Sequence, residues 1–214
     1  MYLQKSLAQS PRWEALVEMV ELGTGLLLLV FLQFHLLAVS SIILGAEAFN
    51  RDSRFLDEYY ISYIGIPLVI LAILVHGLAA MRKAPWNLRE ARTFWQHSRR
   101  LGHLDTWLWL VQIVTGGAIL ILAAIHVWST LLTWPIEAHT SALRVQGGYF
   151  TFLLVLLAVA EVHAMAGLYR LLVKWGFWHR KRFGLYLVYV TAFFLALGLI
   201  ALLVFYFLNV KGTP

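Results

Sequence analysis

The stretch of sequence that decides the fold reads AVAEVHAMAGLYRLLVKWG and covers Ala158–Gly176. It continues a long apolar run, carries Glu161 and His163 inside that run, and ends at a basic edge formed by Arg170 and Lys174. Runs of about 20 apolar residues are typical of helices that cross a membrane. A carboxylate and an imidazole are costly at membrane depth, so both side chains are functional candidates.

The composition extends this pattern to the whole chain. Its 214 residues are 61% hydrophobic and only 13% charged, and the mean hydropathy is +0.75. Five apolar runs are long enough to cross a lipid membrane, at about 15–45, 60–81, 106–133, 148–173 and 183–209. We therefore predict an all-α membrane protein with a single domain, residues 1–214, built as a bundle of five transmembrane helices.

Basic residues are divided unequally between the two sides of this predicted bundle. If the five runs alternate in direction, 13 of the 17 Lys and Arg residues fall on one side. The positive-inside rule then places the N-terminus in the cytoplasm and the C-terminus outside. The net charge of +6 is thus a topology signal, and no nucleic-acid partner is predicted. Cysteine is absent, which excludes disulfides, thiolate metal sites and cysteine-attached haem.

Four of the eight histidines lie inside the apolar runs, and they occupy two depths. These four are His35, His76, His126 and His163. The second and fourth lie six and seven residues before the basic edges of their runs, or about 9–10 Å into the membrane at helical rise. The first and third lie near the opposite ends of their runs.

Two histidines at each of two depths suit two haems b, each held by histidines from facing helices. We predict that His76 and His163 hold a haem near the cytoplasm, and that His35 and His126 hold one near the outside. A single buried histidine is more often a hydrogen-bonded core residue than a ligand. A dinuclear metal site, the competing use of four histidines, would need all of them at one depth.

A repeated Thr-Gly pair precedes the outer histidine of the first and third runs at the same spacing. The pairs are Thr24-Gly25 and Thr115-Gly116. Eleven residues turn an α-helix by about 20° net and rise about 16 Å. Each pair is therefore expected on the histidine face at the depth of the inner haem, where small residues let a macrocycle approach.

Haem propionates are anionic and need cationic or hydrogen-bonding partners. The candidates are Lys174, Arg82, Lys83 and Trp109 for the inner haem and Arg144 for the outer one. Each of them could instead be an interfacial residue that extends its polar end towards water. The polar segment 82–105 carries six Lys or Arg residues, which suits a docking surface for an acidic or phosphate-bearing partner. A plain cytoplasmic loop explains those charges equally well.

Four segments carry the intramembrane histidines. They read TGLLLLVFLQFHLLAVSSIILG around His35, HGLAAMRKAPWN from His76, HLDTWLWLVQIVTGGAILILAAIH up to His126, and the opening stretch around His163. With these segments the chain resembles, over almost its whole length, the di-haem cytochrome b membrane anchors of quinol:fumarate reductases, which related succinate dehydrogenases also use.

This resemblance implies the same pairing of haem ligands and adds partner subunits. An iron–sulfur subunit is expected on the cytoplasmic face, together with a flavoprotein that holds FAD and reduces fumarate. Menaquinol is expected to be oxidised at the present chain, in a bacterial inner membrane. A dimer of the whole complex is compatible with the resemblance. Glu21 and Leu22 stand where the family usually has a polar pair before its Thr-Gly, so propionate contacts there are expected to differ.

The resemblance also assigns roles to three carboxylates. In the family, the glutamate two positions before the fourth haem ligand serves a transmembrane proton pathway, and Glu161 matches it. Two residues turn a helix by about 200°, so Glu161 is expected to face away from His163 into a hydrated seam, or else to be a carboxylate hydrogen-bonded between helices. The family's quinol site uses a carboxylate in the outer loop between the first two helices. Asp57 and Glu58 are candidates for that base, or are solvated loop charges.

Three functional alternatives remain open from the sequence. The first is the reverse reaction, succinate oxidation coupled to quinone reduction, because direction follows cofactor potentials and quinone type. The second is a haem-free transporter that uses Glu161 and the intramembrane histidines for proton coupling. The third is a di-haem anchor for a hydrogenase or a formate dehydrogenase.

Overall fold

The computed structural model describes residues 11–85, 87–174, 176 and 180–210, without the side chains of residues 11, 174 and 180–183. Most of these residues are helical. In chain order the α-helices are α1 Pro11–Val39, α2 Ala46–Glu58, α3 Ile61–Met81, α4 Leu88–Leu101, α5 Leu104–Leu131, α6 Ala138–Arg144, α7 Phe150–Lys174 and α8 Arg180–Phe207.

Five helical segments of the described chain are long and apolar enough to cross a membrane, which confirms the predicted number. They are Arg12–Leu44, Ile61–Met81, Leu104–Leu131, Ala138–Val173 and Gly184–Phe207. The first span is extended beyond α1 by a 3₁₀ turn, Ser40–Leu44. The fourth begins in α6 and reaches α7 through a π turn, Val145–Tyr149. The length of each apolar run determines where a membrane-spanning helix begins and ends. The predicted and observed bounds therefore differ by only a few residues, except in the fourth span, which α6 extends.

The three short helices correct the expectation that the segments between spans are loops. Helix α4 lies in the polar segment 82–105 and has a clear start and end. The Asn87 side chain accepts a hydrogen bond of 2.8 Å from the Glu90 backbone N–H, and Gly102 ends the helix in the left-handed conformation with φ of 63°. Asn at the N-cap and Gly after the last turn are the residues that these positions favour.

The long helices are packed as two pairs. Helix α1 packs mainly against α3, and α5 packs mainly against α7, whereas contacts between the two pairs are few. Helix α8 lies against α7 and against the turn that follows α1. The bundle therefore has a lightly packed zone between α1/α3 on one side and α5/α7 on the other.

Apolar packing is concentrated at the end of the bundle opposite to Arg82. The buried cluster there consists of Ile42, Phe49, Ala138, Ala142, Val145, Ala201 and Phe205. It joins α2 and α6 to the end of α8 and closes that end of the bundle. By contrast, none of the described residues of α5 is buried, because this helix packs mainly against α7 alone.

Candidate functional site

His76 and His163 face each other across the zone between the helix pairs. His76 lies on α3 and His163 on α7, and their ring centroids are 6.5 Å apart with an interplanar angle of 88°. The two rings are therefore neither stacked nor in van der Waals contact.

Helix α5 fixes the tautomer of His163. The Thr115 hydroxyl donates to the Val111 carbonyl at 2.6 Å, and Thr115 Oγ1 lies 2.9 Å from His163 Nδ1. Because the hydroxyl proton is used within its own helix, the hydroxyl oxygen must accept from Nδ1–H. The lone pair of His163 is then on Nε2, as in histidines whose other nitrogen binds a metal.

Helix α1 fixes His76 in the same way. His76 Nδ1 lies 3.1 Å from the Glu21 carbonyl oxygen, which can only accept a hydrogen bond, so Nδ1 carries the proton. Thr24 Oγ1 is a second neighbour of Nδ1 at 3.2 Å, and its hydroxyl donates to the Val20 carbonyl at 2.6 Å. Both histidines thus keep Nε2 available.

The glycines of the two Thr-Gly pairs make room for these imidazoles. A Cβ at Gly25 would lie 3.0 Å from His76 Cε1, and a Cβ at Gly116 would lie 3.2 Å from His163 Cε1. The approach of a macrocycle to these glycines stays a prediction. Among protein groups, each Thr-Gly pair lies against the histidine of the adjacent helix, because α1 packs on α3 and α5 on α7.

His35 and His126 form the second pair, at the other depth. Their ring centroids are 6.1 Å apart with an interplanar angle of 67°. Phe31, one turn before His35 on α1, stacks on the His35 ring with a centroid distance of 5.6 Å. Arg144 hydrogen-bonds Thr130, one turn after His126, at 3.1 Å. It also hydrogen-bonds Thr133, so the cation proposed for the outer site is held beside α5.

The two histidine pairs are separate sites. Within the described residues, no three histidine, aspartate or glutamate side chains come together in a way that could hold a metal ion. A dinuclear centre built from all four histidines is therefore not formed. Each pair takes one histidine from α1/α3 and one from α5/α7.

Glu161 lies fully buried between α7 and α1. Its exposed fraction is 0%, and Gln33 Nε2 donates to Glu161 Oε2 at 3.1 Å. Glu161 Oε1 and Gln33 Oε1 are both buried without a hydrogen-bond partner. The hydrated seam expected beside Glu161 stays a prediction. The Gln33 contact is a hydrogen bond between α1 and α7, as required by the alternative prediction that Glu161 is a carboxylate hydrogen-bonded between helices.

The basic edge near His76 is paired with carboxylates of α1. Arg82 forms an ion pair with Glu14, and Lys83 Nζ lies 2.6 Å from Glu21 Oε2. Arg82 also lies 3.5 Å from Glu21. The two proposed propionate partners are therefore engaged with acidic side chains of this chain.

The remaining predicted residues have different surroundings. Trp109 packs on Phe94 of α4 with a centroid distance of 4.7 Å. The predicted propionate contact of Lys174 falls on a side chain outside the described residues. Asp57 and Glu58 lie in the last turn of α2, where the Asp57 carbonyl accepts a 3.0 Å hydrogen bond from the Tyr60 N–H.

Sequence reasoning missed two glutamines that the fold brings to the site. Gln33 contacts Glu161, as described above. Gln112 Nε2 donates to the His163 carbonyl at 2.7 Å, and Arg170 lies 3.5 Å from Gln112 Oε1. Gln112 fits because Gly167 faces it, since a Cβ there would lie 2.9 Å from its Nε2. The available signal was a polar residue within an apolar run, in the same run as a functional histidine.

Known proteins resemble this chain along most of its length. A family model described as the succinate dehydrogenase/fumarate reductase transmembrane subunit matches residues 88–202. The fumarate reductase cytochrome b subunit of Helicobacter pylori is 34% identical over 199 residues, covering 86% of this chain and 78% of that relative. The subunit of the same name from Wolinella succinogenes is 34% identical over 176 residues, covering 77% and 68%. The succinate dehydrogenase cytochrome b558 subunit of Bacillus subtilis is 26% identical over 180 residues, covering 81% and 86%. On the length of the family match and on these identities, the chain belongs to the family of succinate dehydrogenase/fumarate reductase transmembrane subunits.

Proposed function

We propose that this chain is the membrane anchor and electron-transfer subunit of a quinol:fumarate reductase. In this proposal it oxidises menaquinol and delivers the electrons to an iron–sulfur subunit, with the help of two haems b held by histidine pairs. Fumarate is reduced to succinate in a flavoprotein partner that holds FAD. Relatives from Helicobacter pylori and Wolinella succinogenes, both named fumarate reductase cytochrome b subunits, support this direction.

One observation carries the proposal, namely the spacing within each histidine pair. Two metal–imidazole bonds of about 2 Å, plus about 1.1 Å from each bonding nitrogen to its ring centroid, give a centroid separation of about 6.2 Å. The observed separations are 6.5 Å for His76/His163 and 6.1 Å for His35/His126. Both pairs therefore fit a single metal atom between them. Few contacts join the two helix pairs between which these histidines lie, which supports a group larger than one ion there.

The side chains around the inner pair orient its two ligands. The Thr115 hydroxyl and the Glu21 carbonyl hold Nδ1–H of His163 and His76, so that Nε2 of each is the binding atom. A haem held by these two histidines would supply single-electron transfer. Each Thr-Gly pair thus contacts the proposed ligand on the neighbouring helix, Thr24-Gly25 contacting His76 and Thr115-Gly116 contacting His163.

The cations near each site are proposed to hold the haem propionates. Arg144 lies beside the turn of α5 that follows His126, which suits the outer group. Arg82, Lys83, Lys174 and Trp109 are proposed for the inner group. Arg82 and Lys83 already pair with Glu14 and Glu21. Each of these two cations would therefore interact with both a haem propionate and a glutamate carboxylate.

Glu161 is proposed to carry protons across the middle of the membrane. It lies two residues before the inner ligand on α7, and its partner Gln33 lies two residues before the outer ligand on α1. The pair therefore lies between the two histidine depths. A fully buried carboxyl with one oxygen free of hydrogen bonds can take up a proton there without breaking an existing contact.

Asp57 and Glu58 are proposed as bases that accept the quinol proton at the outer side. This assignment follows the topology in which the side of Arg82 faces the cytoplasm. A carboxylate at that side would release the proton to the outer aqueous phase after quinol oxidation.

The reverse reaction is the second candidate. The relative from Bacillus subtilis is named a succinate dehydrogenase subunit, so the family includes both directions. We propose that the quinone type and the haem potentials decide which direction operates.

Purification of the chain with its co-expressed partner subunits tests the proposal. We expect b-type bands in the reduced-minus-oxidised spectrum, two haems per chain, and fumarate-dependent oxidation of a menaquinol analogue. A spectrum without b-type bands would refute haem-based electron transfer and favour the transporter alternative. Co-purification of a hydrogenase or a formate dehydrogenase in place of an FAD subunit would assign the anchor to another complex. The ratio of fumarate reduction to succinate oxidation in the same preparation reports the favoured direction.

A further inference from the structure

Helix α4 presents a stripe of alternating apolar and basic residues to the outside of the protein. Leu88, Arg92, Trp95 and Arg99 follow each other at i, i+4, i+7 and i+11, which places them on one face of a helix. Leu88 is 90% exposed and Trp95 is 51% exposed, and both arginines are exposed as well. We call these four residues the α4 stripe.

The other side of α4 is packed, so the orientation of the stripe is fixed. Phe94 contacts Trp109 of α5, and Ser98 is fully buried, with its hydroxyl donating to the Phe94 carbonyl at 2.8 Å. The cap at Asn87 and the glycine after the last turn hold the helix ends. Rotation of α4 about its axis would break the Phe94 contact and expose Ser98.

Contact with α5 places the stripe at the level of the lipid headgroups. Trp95 packs edge-on against Trp107 with a centroid distance of 5.3 Å. Trp107 is in the first turn of α5, which begins at Leu104. A helix of 28 residues is about 42 Å long and exceeds a hydrocarbon core of about 30 Å, so its first turn extends into the interface. Tryptophan is enriched at that level.

We propose that the α4 stripe binds the headgroup of an anionic phospholipid in the leaflet on the side of Arg82. Arg92 and Arg99 bind the lipid phosphates, and Leu88 and Trp95 cover the adjoining glycerol and the upper acyl chain. The two guanidinium groups are seven residues apart, about 10.5 Å along the helix, so a lipid with two phosphates engages both. This site requires neither haem nor quinone, although its test uses the complex of the proposed function.

Charge and apolarity together favour a lipid over a protein partner. The interface of a lipid layer offers phosphates directly beside hydrocarbon, and the stripe likewise carries cations directly beside apolar side chains. An acidic protein surface would satisfy the arginines and leave Leu88 and Trp95 against water or against polar groups. Arg89 and Arg100 lie on the adjacent face of α4, also exposed, and provide a matched control.

Native mass spectrometry of the complex purified with its partner subunits provides the test. The complex is titrated with tetraoleoyl cardiolipin, with phosphatidylcholine as the neutral lipid and with inorganic phosphate as a competitor. Each guanidinium near an anionic surface is worth about fivefold in affinity, so the double variant Arg92→Gln/Arg99→Gln should bind cardiolipin about 30-fold more weakly. Arg89→Gln/Arg100→Gln, with the same change in net charge, should weaken binding by less than about threefold.

Three results would overturn the inference. Cardiolipin affinity could be unchanged in Arg92→Gln/Arg99→Gln, or reduced equally in both double variants, which would indicate a net-charge effect only. Alternatively, Arg92→Gln/Arg99→Gln could release the partner subunits while keeping the lipid, which would assign the stripe to a protein interface. Displacement of the lipid by millimolar inorganic phosphate would show that the apolar residues contribute nothing. The same mass spectra show which subunits and which lipids remain bound, so loss of lipid is distinguished from loss of a partner subunit.

Discussion

The hydrogen bonds to the inner histidines lead to an asymmetric prediction. Thr115→Val keeps the shape of the side chain but removes the only described acceptor of the His163 Nδ1–H, at 2.9 Å. Thr24→Val makes the same change on α1, where His76 keeps the Glu21 carbonyl at 3.1 Å. On the proposed function, the first variant should weaken haem binding at the inner site much more than the second.

The magnitude follows from the partners that remain. A buried donor left without an acceptor costs about 1–3 kcal/mol. That loss corresponds to about 5- to 150-fold in haem affinity, in the range seen when the hydrogen-bond partner of a metal-binding histidine is removed. The Thr24 variant loses one of two acceptors for a single N–H, which costs about 0.5 kcal/mol, or about twofold.

The assay is transfer of haem from the purified complex to excess apomyoglobin, followed by visible absorbance. Redox titration of the same samples identifies the inner haem by its shifted potential. Thermal unfolding of haem-free chains is the control, because a purely structural defect would lower the stability of both variants without haem. Equal haem loss from the two variants, or unchanged retention in Thr115→Val, would refute the reasoning about the tautomer.

Further changes at the site have specific expected outcomes. His35→Ala should lower the haem content from two per chain to one and leave the inner haem, as measured by pyridine haemochrome analysis. Gly25→Ala and Gly116→Ala should impair inner-haem incorporation, because the added Cβ lies 3.0 Å and 3.2 Å from an imidazole carbon, whereas Gly117→Ala has open space and should not. Normal haem content in the first two alanine variants would contradict this. Glu161→Gln should retain both haems and lower the rate of quinol oxidation coupled to fumarate, and an unchanged rate would exclude its proton role.

The transmembrane helices and the histidine pairs were predictable because they depend on short-range patterns. Hydrophobic length alone gives the five spans, and helical rise alone gives the depth of each histidine. Depth also separates His76/His163 from His35/His126, as the structure shows. Helix α4 was predictable in principle, since Asn87 with Glu90 three residues later is a helix-start signal and Gly102 is an end signal.

The partners of the polar side chains were not predictable, because they depend on which helices pack together. Arg82 and Lys83 were candidates for the propionates, and only the packing of α1 on α3 reveals that Glu14 and Glu21 pair with them. The contact of Gln33 with Glu161 could not be predicted without knowing that α1 passes beside α7. A rule based on a single helix cannot provide such contacts.

The arrangement in two helix pairs has a consequence for biogenesis. Helices α1 and α3 leave the ribosome before α5 and α7, and few contacts join the first hairpin to the second. On the proposed function, each haem would fasten the early hairpin to the late one, since every histidine pair draws one ligand from each. Cofactor supply would then act as a checkpoint for assembly. Chains made during haem starvation would keep the contacts through α8 and the buried apolar cluster but would lack the two links at the histidine depths, which would leave them more exposed to membrane proteases before the partner subunits dock.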